Sequence, residues 1–302
     1  MDRLRKAFDD LKPHFSIGGK YEKWWVIFDV VENFFYSSIR RTFGSLHIRD
    51  ASDVQRVMVT VMVAALPATF YGMYNIGFQA LSGVANGSGE FTNDWHFFFI
   101  NIFCNYDPNS IFDCLWFGAC YFIPIYAVTF IVGILWEMIF AVVRNHEISE
   151  GAFVTTILFA LCCPPDVPLW QVAMGISFGI VIGKEIFGGT GKNFLNPALT
   201  GRVFLYFAYP TYWSGDAVWV ALDGFSSPTI LGIGSQEGLN GIQANYSWIE
   251  AFIGSIPGSA GETSTLFILL GLLILLYTKV ASWRIVAGVL LGTFLTAYLF
   301  NF

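Results

Sequence analysis

The chain has 302 residues, of which 55% are hydrophobic, 18% aromatic and only 13% charged, with a formal net charge of −6. That is about half the charge of a soluble domain, so one aqueous globule is excluded and a membrane protein is the default class. Nucleic acid is not an expected partner.

The first 56 residues are distinct. They hold ten of the sixteen Lys and Arg residues, and FDDLKPHFSIGGKYEKWWVIFDVVENFFYSS mixes charge with Phe and Trp around Gly18-Gly19. This pattern predicts a cytoplasmic amphipathic segment that is interfacial, partner-docking or a plain cap on the bundle. No cleavable signal peptide is visible, because the first long apolar run begins only at Val57.

Hydropathy then predicts seven spans, at 57–81, 115–143, 151–163, 169–187, 198–209, 266–277 and 285–302. Residues 82–114, 164–168 and 210–265 contain no Lys or Arg, whereas 144–150, 184–202 and 279–284 hold the remaining six cations. The two kinds of loop alternate, which predicts a cytoplasmic amino terminus and an external 210–265 loop.

Two predicted spans are too short to cross as ordinary helices. The 151–163 run ends at Pro164-Pro165, and the 198–209 run follows Asn196-Pro197. Broken helices of this kind mark working sites in transport folds. The expected fold is an all-α polytopic membrane protein with an inverted five-span repeat. The first repeat (57–209) is complete, and the second (266–302) is truncated after two spans, beyond the external 210–265 loop.

Several motifs bear on chemistry. GGTGKNFLNPALTGR (188–202) fails as a nucleotide loop, because Ile186 and Asn193 stand where that motif needs Gly and Ser/Thr. It fails as a water pore, since it carries a single NPA box. What remains is a polar seat: Gly188, Gly189, Gly191 and Gly201 permit close approach, and Asn193 and Asn196 supply amides. Pro197 opens a helix with free N–H groups in front of it.

Glu137 lies seven residues before Arg144, about 10 Å into its span. It is read as an ion- or proton-handling group, a structural hydrogen bond or an ion pair to another subunit. Lys184-Glu185 reads as an interfacial pair, and Arg202 either snorkels to the cytoplasmic surface or faces an anionic ligand. Cys104 and Cys114 either pair or stay as thiols. With no CxxC and four scattered histidines, no metal site is expected. Asp223-Gly224-Phe225-Ser226-Ser227-Pro228-Thr229 reads by itself as a turn.

The segments GGKYEKWW, HIRD, FYGMYNIG, YFIPIYAVTFIVGILWE, RNHEISEGAFVTTILFALCCPP, KEIFGGTGKNFLNPALTGR, FAYP, AFIGSIPGSAGETSTL and ASWRI cover nearly all of the chain. In order, they resemble the family of B-type subunits of the Na+-translocating NADH:quinone oxidoreductase (Na+-NQR). The likeness to the D-type subunits of the Rnf complex is more distant, since those lack a comparable amino-terminal segment.

The resemblance implies a subunit of a redox-driven sodium pump in the bacterial inner membrane, partnered by the other Na+-NQR subunits, quinone, Na+ and lipid. It implies FMN joined through its phosphate to a threonine on the outer side by a flavin transferase. The acceptor motif aligns Asp223, Ser226 and Thr229, with Thr229 as the flavin-bearing residue; Ser227 and Pro228 replace the family's Gly and Ala. It also implies a non-covalent riboflavin, assigned to Asn193, Asn196, Gly189 and Gly191. Quinone or ion contacts fall at Gly133 and Glu137, with Ile134 where the family has a second glycine. The family pattern continues through three more spans, which carry acidic and aromatic residues of the sodium path. A solute channel or transporter without flavin, or an inactive scaffold fragment, are the rival readings.

Overall fold

The computed structural model describes residues 2–16, 18–21, 25, 28, 54–91, 94–144, 151–216, 218–224 and 226–300. Among these the chain is helical, with one isolated bridge between Glu90 and Asp223. The helices are α1 (Asp2–Phe15), α2 (Val54–Ala85), α3 (His96–Phe103), α4 (Ile111–Arg144), α5 (Gly151–Leu161), α6 (Leu169–Gly183) and α7 (Pro197–Ala208). They are followed by α8 (Pro210–Trp213), α9 (Ile230–Asn245), α10 (Trp248–Ile253), α11 (Thr265–Tyr277) and α12 (Trp283–Phe300). Of the amino-terminal segment, α1 and a few following residues are described, and Phe15 stacks on Phe28 there at 4.8 Å. The HIRD motif and residues 145–150 lie outside the described residues.

Four helices are long and apolar enough to cross a membrane, at 56–85, 111–144, 169–187 and 283–300. The chain is an all-α polytopic membrane protein. Helices α2 and α4, with 32 and 34 residues, run about 48 and 51 Å, well past a ~30 Å hydrocarbon core. Helices α5 and α7 are short, at 11 and 12 residues, as their flanking prolines predict. Helix α11, at 13 residues, is equally short. The predicted 266–277 span already has this length, set by the polar residues that flank the Leu/Ile run.

Small residues set the helix spacing. Gly77 of α2 lies against the backbone of Cys114, and Gly118 of α4 lies against the backbone of Met73. A side chain at either position would strike main chain, so the glycines let α2 and α4 approach closely. On α6, Gly175 and Gly179 admit α7: Gly179 faces Pro197 and Gly201, and Gly201 faces the Gly175 carbonyl. The core between these helices is apolar, with Phe117, Phe159, Ile176, Ile180 and Leu205 fully buried.

FYGMYNIG now has a structural explanation. Gly72 leaves room for the Ala260 backbone, and Asn75 Nδ2 donates to the Ile256 carbonyl at 2.8 Å. Tyr71 Oη lies 3.4 Å from Ser255 Oγ, and its ring stacks on Phe267 of α11 at 4.7 Å. These three residues seat a non-helical segment, 254–264, against α2. The Gly261 amide also donates to the Leu161 carbonyl at the end of α5. Such a segment is tolerated at depth only because its polar backbone finds partners.

Candidate functional site

One end of the bundle gathers four charges. Lys184 at the end of α6 pairs with Glu137 of α4, and both are buried. Arg144 Nη1 meets Glu185 Oε2 at 3.2 Å, and its Nη2 donates to the Glu185 carbonyl at 2.7 Å. Lys184 and Glu185 approach within 3.9 Å. Of the roles open to Glu137, the structure displays an ion pair within this chain. Lys184-Glu185 is not a simple interfacial pair, since each residue finds its main partner on α4. Gly133, one turn before Glu137, is buried against Thr156 and Ile180.

The glycine-rich segment follows directly. Gly188, Gly189 and Gly191 take φ of 110°, 91° and 84°, a region that disfavours any side chain. Gly189 sits over the Glu185 carboxylate. Asn193 Nδ2 donates to the Leu195 carbonyl at 2.7 Å. Asn196 caps α7, its Oδ1 accepting from the amides of Ala198 and Leu199 at 3.0 and 3.3 Å. The free N–H groups expected ahead of Pro197 are therefore already satisfied, which is what asparagine at an N-cap does. Among the described residues, Asn193 Oδ1 and Asn196 Nδ2 have no hydrogen-bond partner. Beside them lies a groove of about 790 Å³, walled by Phe178, Phe194, Phe204 and Phe207, with Asn196 and Thr200 at its edge. Phe178 and Phe204 stack at 4.3 Å.

Arg202 lies 3.8 Å from Glu262 of the 254–264 segment, a contact that neither expectation named. The reason is position: α7 starts at Pro197, so Arg202 stands more than a turn inside it, where Glu262 supplies the counter-charge.

Asp223, Ser226 and Thr229 belong to the opposite end, where α4 begins. Asp223 and Glu90 exchange backbone hydrogen bonds of 2.9 and 3.1 Å. The Ser227 amide donates to the Asp216 carbonyl at 3.0 Å. Thr229 is the N-cap of α9, and its Oγ1 accepts from the Gly232 amide at 3.2 Å. Pro228, with no N–H, precedes that cap and costs the helix no donor.

The same end holds a cluster that no spacing announces. A ring nitrogen of His96 and carboxylate oxygens of Asp94 and Asp166 all lie within 4.8 Å of one another. Desolvation by the packing around it, then the Asp94 and Asp223 carboxylates, pushes Asp166 up to about 6, although its side chain stays accessible to solvent. Burial pulls His96 below the usual histidine value, against an opposing pull from Asp94. In sequence the only sign is Asp-x-His at 94–96, with Asp166 seventy residues on. Cys104 and Cys114 are both free thiols, directed at the Asp113 and Pro108 carbonyls.

Residues 42–302 match the family described as NQR2, RnfD, RnfE. The chain belongs to this family. It is 53% identical over 298 residues to the B-type subunit of the Na(+)-translocating NADH-quinone reductase of Chromohalobacter salexigens, covering 99% of this chain and 72% of that relative. It is 52% identical over 301 residues to the protein of the same name from Pseudomonas aeruginosa, covering 99% of this chain and 75% of the relative. The family likeness extends over both ends of the bundle, the 184–202 segment and the Thr229 loop alike.

Proposed function

We propose that this chain is the flavin-bearing membrane subunit of a redox-driven sodium pump. NADH is oxidised on another subunit, and electrons pass through this one to quinone, coupled to Na+ movement. Thr229 carries FMN through its phosphate, and the 188–202 segment holds riboflavin. The amino terminus is cytoplasmic and Thr229 faces outward from the bacterial inner membrane, in keeping with the segregation of cations to one end. The second five-span repeat of the inverted fold is begun by α11 and α12.

The observation that carries this reading is the position of Thr229. A phosphoryl group on its Oγ1 meets the amino terminus of α9, where the Gly232 amide that already donates to Oγ1 and the helix dipole favour an anion. In the attachment the Thr229 Oγ1–P bond would form as the bond from that phosphorus to the leaving group of an activated flavin nucleotide breaks, the transferase taking up the hydroxyl proton and releasing the leaving group. At the other end, the aromatic groove fits a flat tricyclic ring by size and lining. Asn193 Oδ1 and Asn196 Nδ2 are an acceptor and a donor for its polar edge. A bound flavin supplies the electron-transfer chemistry; the protein supplies placement and electrostatics. The Glu137–Lys184 pair fixes the end of α6 from which the glycine segment starts. A quinone at Gly133 and Glu137 requires Thr156 and Ile180 to give way.

In-gel flavin fluorescence after denaturation tests the attachment. Wild type gives a fluorescent band, and Thr229→Val at equal expression gives none. A band that persists in the variant moves the attachment to Ser226 or Ser227, and a dark wild-type chain favours a flavin-free channel or scaffold.

A further inference from the structure

The cluster at the Thr229 end calls for an occupant. His96 is only 8% exposed, and among the described residues its buried Nδ1 has no hydrogen-bond partner. Its ring is held between Trp95, at 3.8 Å and 31°, and Tyr121, at 4.3 Å and 18°. A ring clamped on both faces can offer only its edge, and that edge presents a nitrogen to two carboxylates. Leaving a buried imidazole nitrogen unpaired costs free energy, as does holding the Asp94 and Asp166 carboxylate oxygens within 4.8 Å of each other. A cation held between them offsets the carboxylate repulsion and gives the ring nitrogen that faces them a partner.

We propose that Asp94, His96 and Asp166 bind one divalent transition-metal ion, zinc in the first instance, which ties the start of α3 to the Pro164-Pro165 loop. The donor set selects the ion. One imidazole and two carboxylates suit zinc, with water completing a tetrahedron, whereas Na+ and Ca2+ call for oxygen donors alone. Ligand atoms around zinc stand about 3.3 Å apart, so the 4.8 Å triangle closes by modest carboxylate rotation. Its consequence reaches the flavin loop. Asp94 is four residues from Glu90, whose backbone holds Asp223, so the ion steadies the base of the segment leading to Thr229.

The test uses the full chain in detergent, stripped with a chelator and titrated with Zn2+. Expected are one zinc per chain and a rise in thermal midpoint on binding. Asp166→Asn and His96→Phe, the latter keeping the ring stack, each weaken binding at least tenfold and abolish the rise. Asp166 is exposed, so its variant remains informative if His96→Phe folds poorly. The proposal is overturned if wild type takes up no stoichiometric zinc, if Asp166→Asn binds as wild type does, if Na+ or Ca2+ displaces the metal, or if zinc is lost on Cys104→Ser instead.

Discussion

Residues 188–196 and 254–264 are two glycine-rich, non-helical segments, each leading into a short capped helix. The first precedes α7, capped by Asn196; the second precedes α11, capped by Ser264. Their surroundings are opposite. In the first, Thr190, Gly191, Lys192 and Phe194 are exposed beside an open aromatic groove. In the second, Pro257, Gly258, Ser259 and Ala260 are buried against α2 and the end of α5. The same local device thus serves two ends: one leaves space for a ligand, and the other fills the space between helices.

The largest effect is expected where the open segment is anchored. Lys184→Met strands the Glu137 carboxylate in a buried site, and breaking such a pair costs about 3–5 kcal/mol. Thermal unfolding in detergent should show this, and the double variant Glu137→Leu with Lys184→Met should recover most of it. A single variant as stable as wild type would mean that water or another group already neutralises Glu137. The buried segment gives the next effect. Asn75→Leu preserves volume but leaves the Ile256 carbonyl without its donor, a loss of about 1–3 kcal/mol. The same unfolding assay checks it, and no change would show that the segment is not held by this bond.

These contrasts indicate why the sequence is readable in some places and not in others. The spans follow from hydropathy, and the shortness of α5 from Pro164-Pro165, because both are local properties of the chain. The shortness of α11 is local too: the predicted 266–277 run is bounded by Ser264 and by the turn at 278–282 rather than by proline. The partners of Glu137 and Arg202 are hidden for the opposite reason. Lys184 is 47 residues from Glu137, and Glu262 is 60 from Arg202, so only helix packing brings the charges together. The helix-capping role of Asn196 is available from its place before Pro197, but a polar-seat reading leaves its side chain free. The Asp94–His96–Asp166 cluster is the least accessible, since ring stacking on Tyr121, not spacing, orients the histidine.

Two smaller effects separate folding from ligand binding at the open segment. Gly189→Ala forces a side chain into φ of 91°, a strain of about 1–2 kcal/mol, and should lower both the thermal midpoint and the non-covalent flavin content. Phe207→Ala should lower only the second. Phe207 is 77% exposed and lines the groove, so its removal should change stability by no more than about 0.5 kcal/mol. Riboflavin recovered by acid extraction should fall severalfold, while the covalent fluorescent band at Thr229 stays at wild-type intensity. That split is the decisive feature, because a general folding defect would reduce both flavins together. Full riboflavin content in Phe207→Ala would remove the groove from the proposed seat and leave the glycine turn as packing alone, making the two segments alike after all.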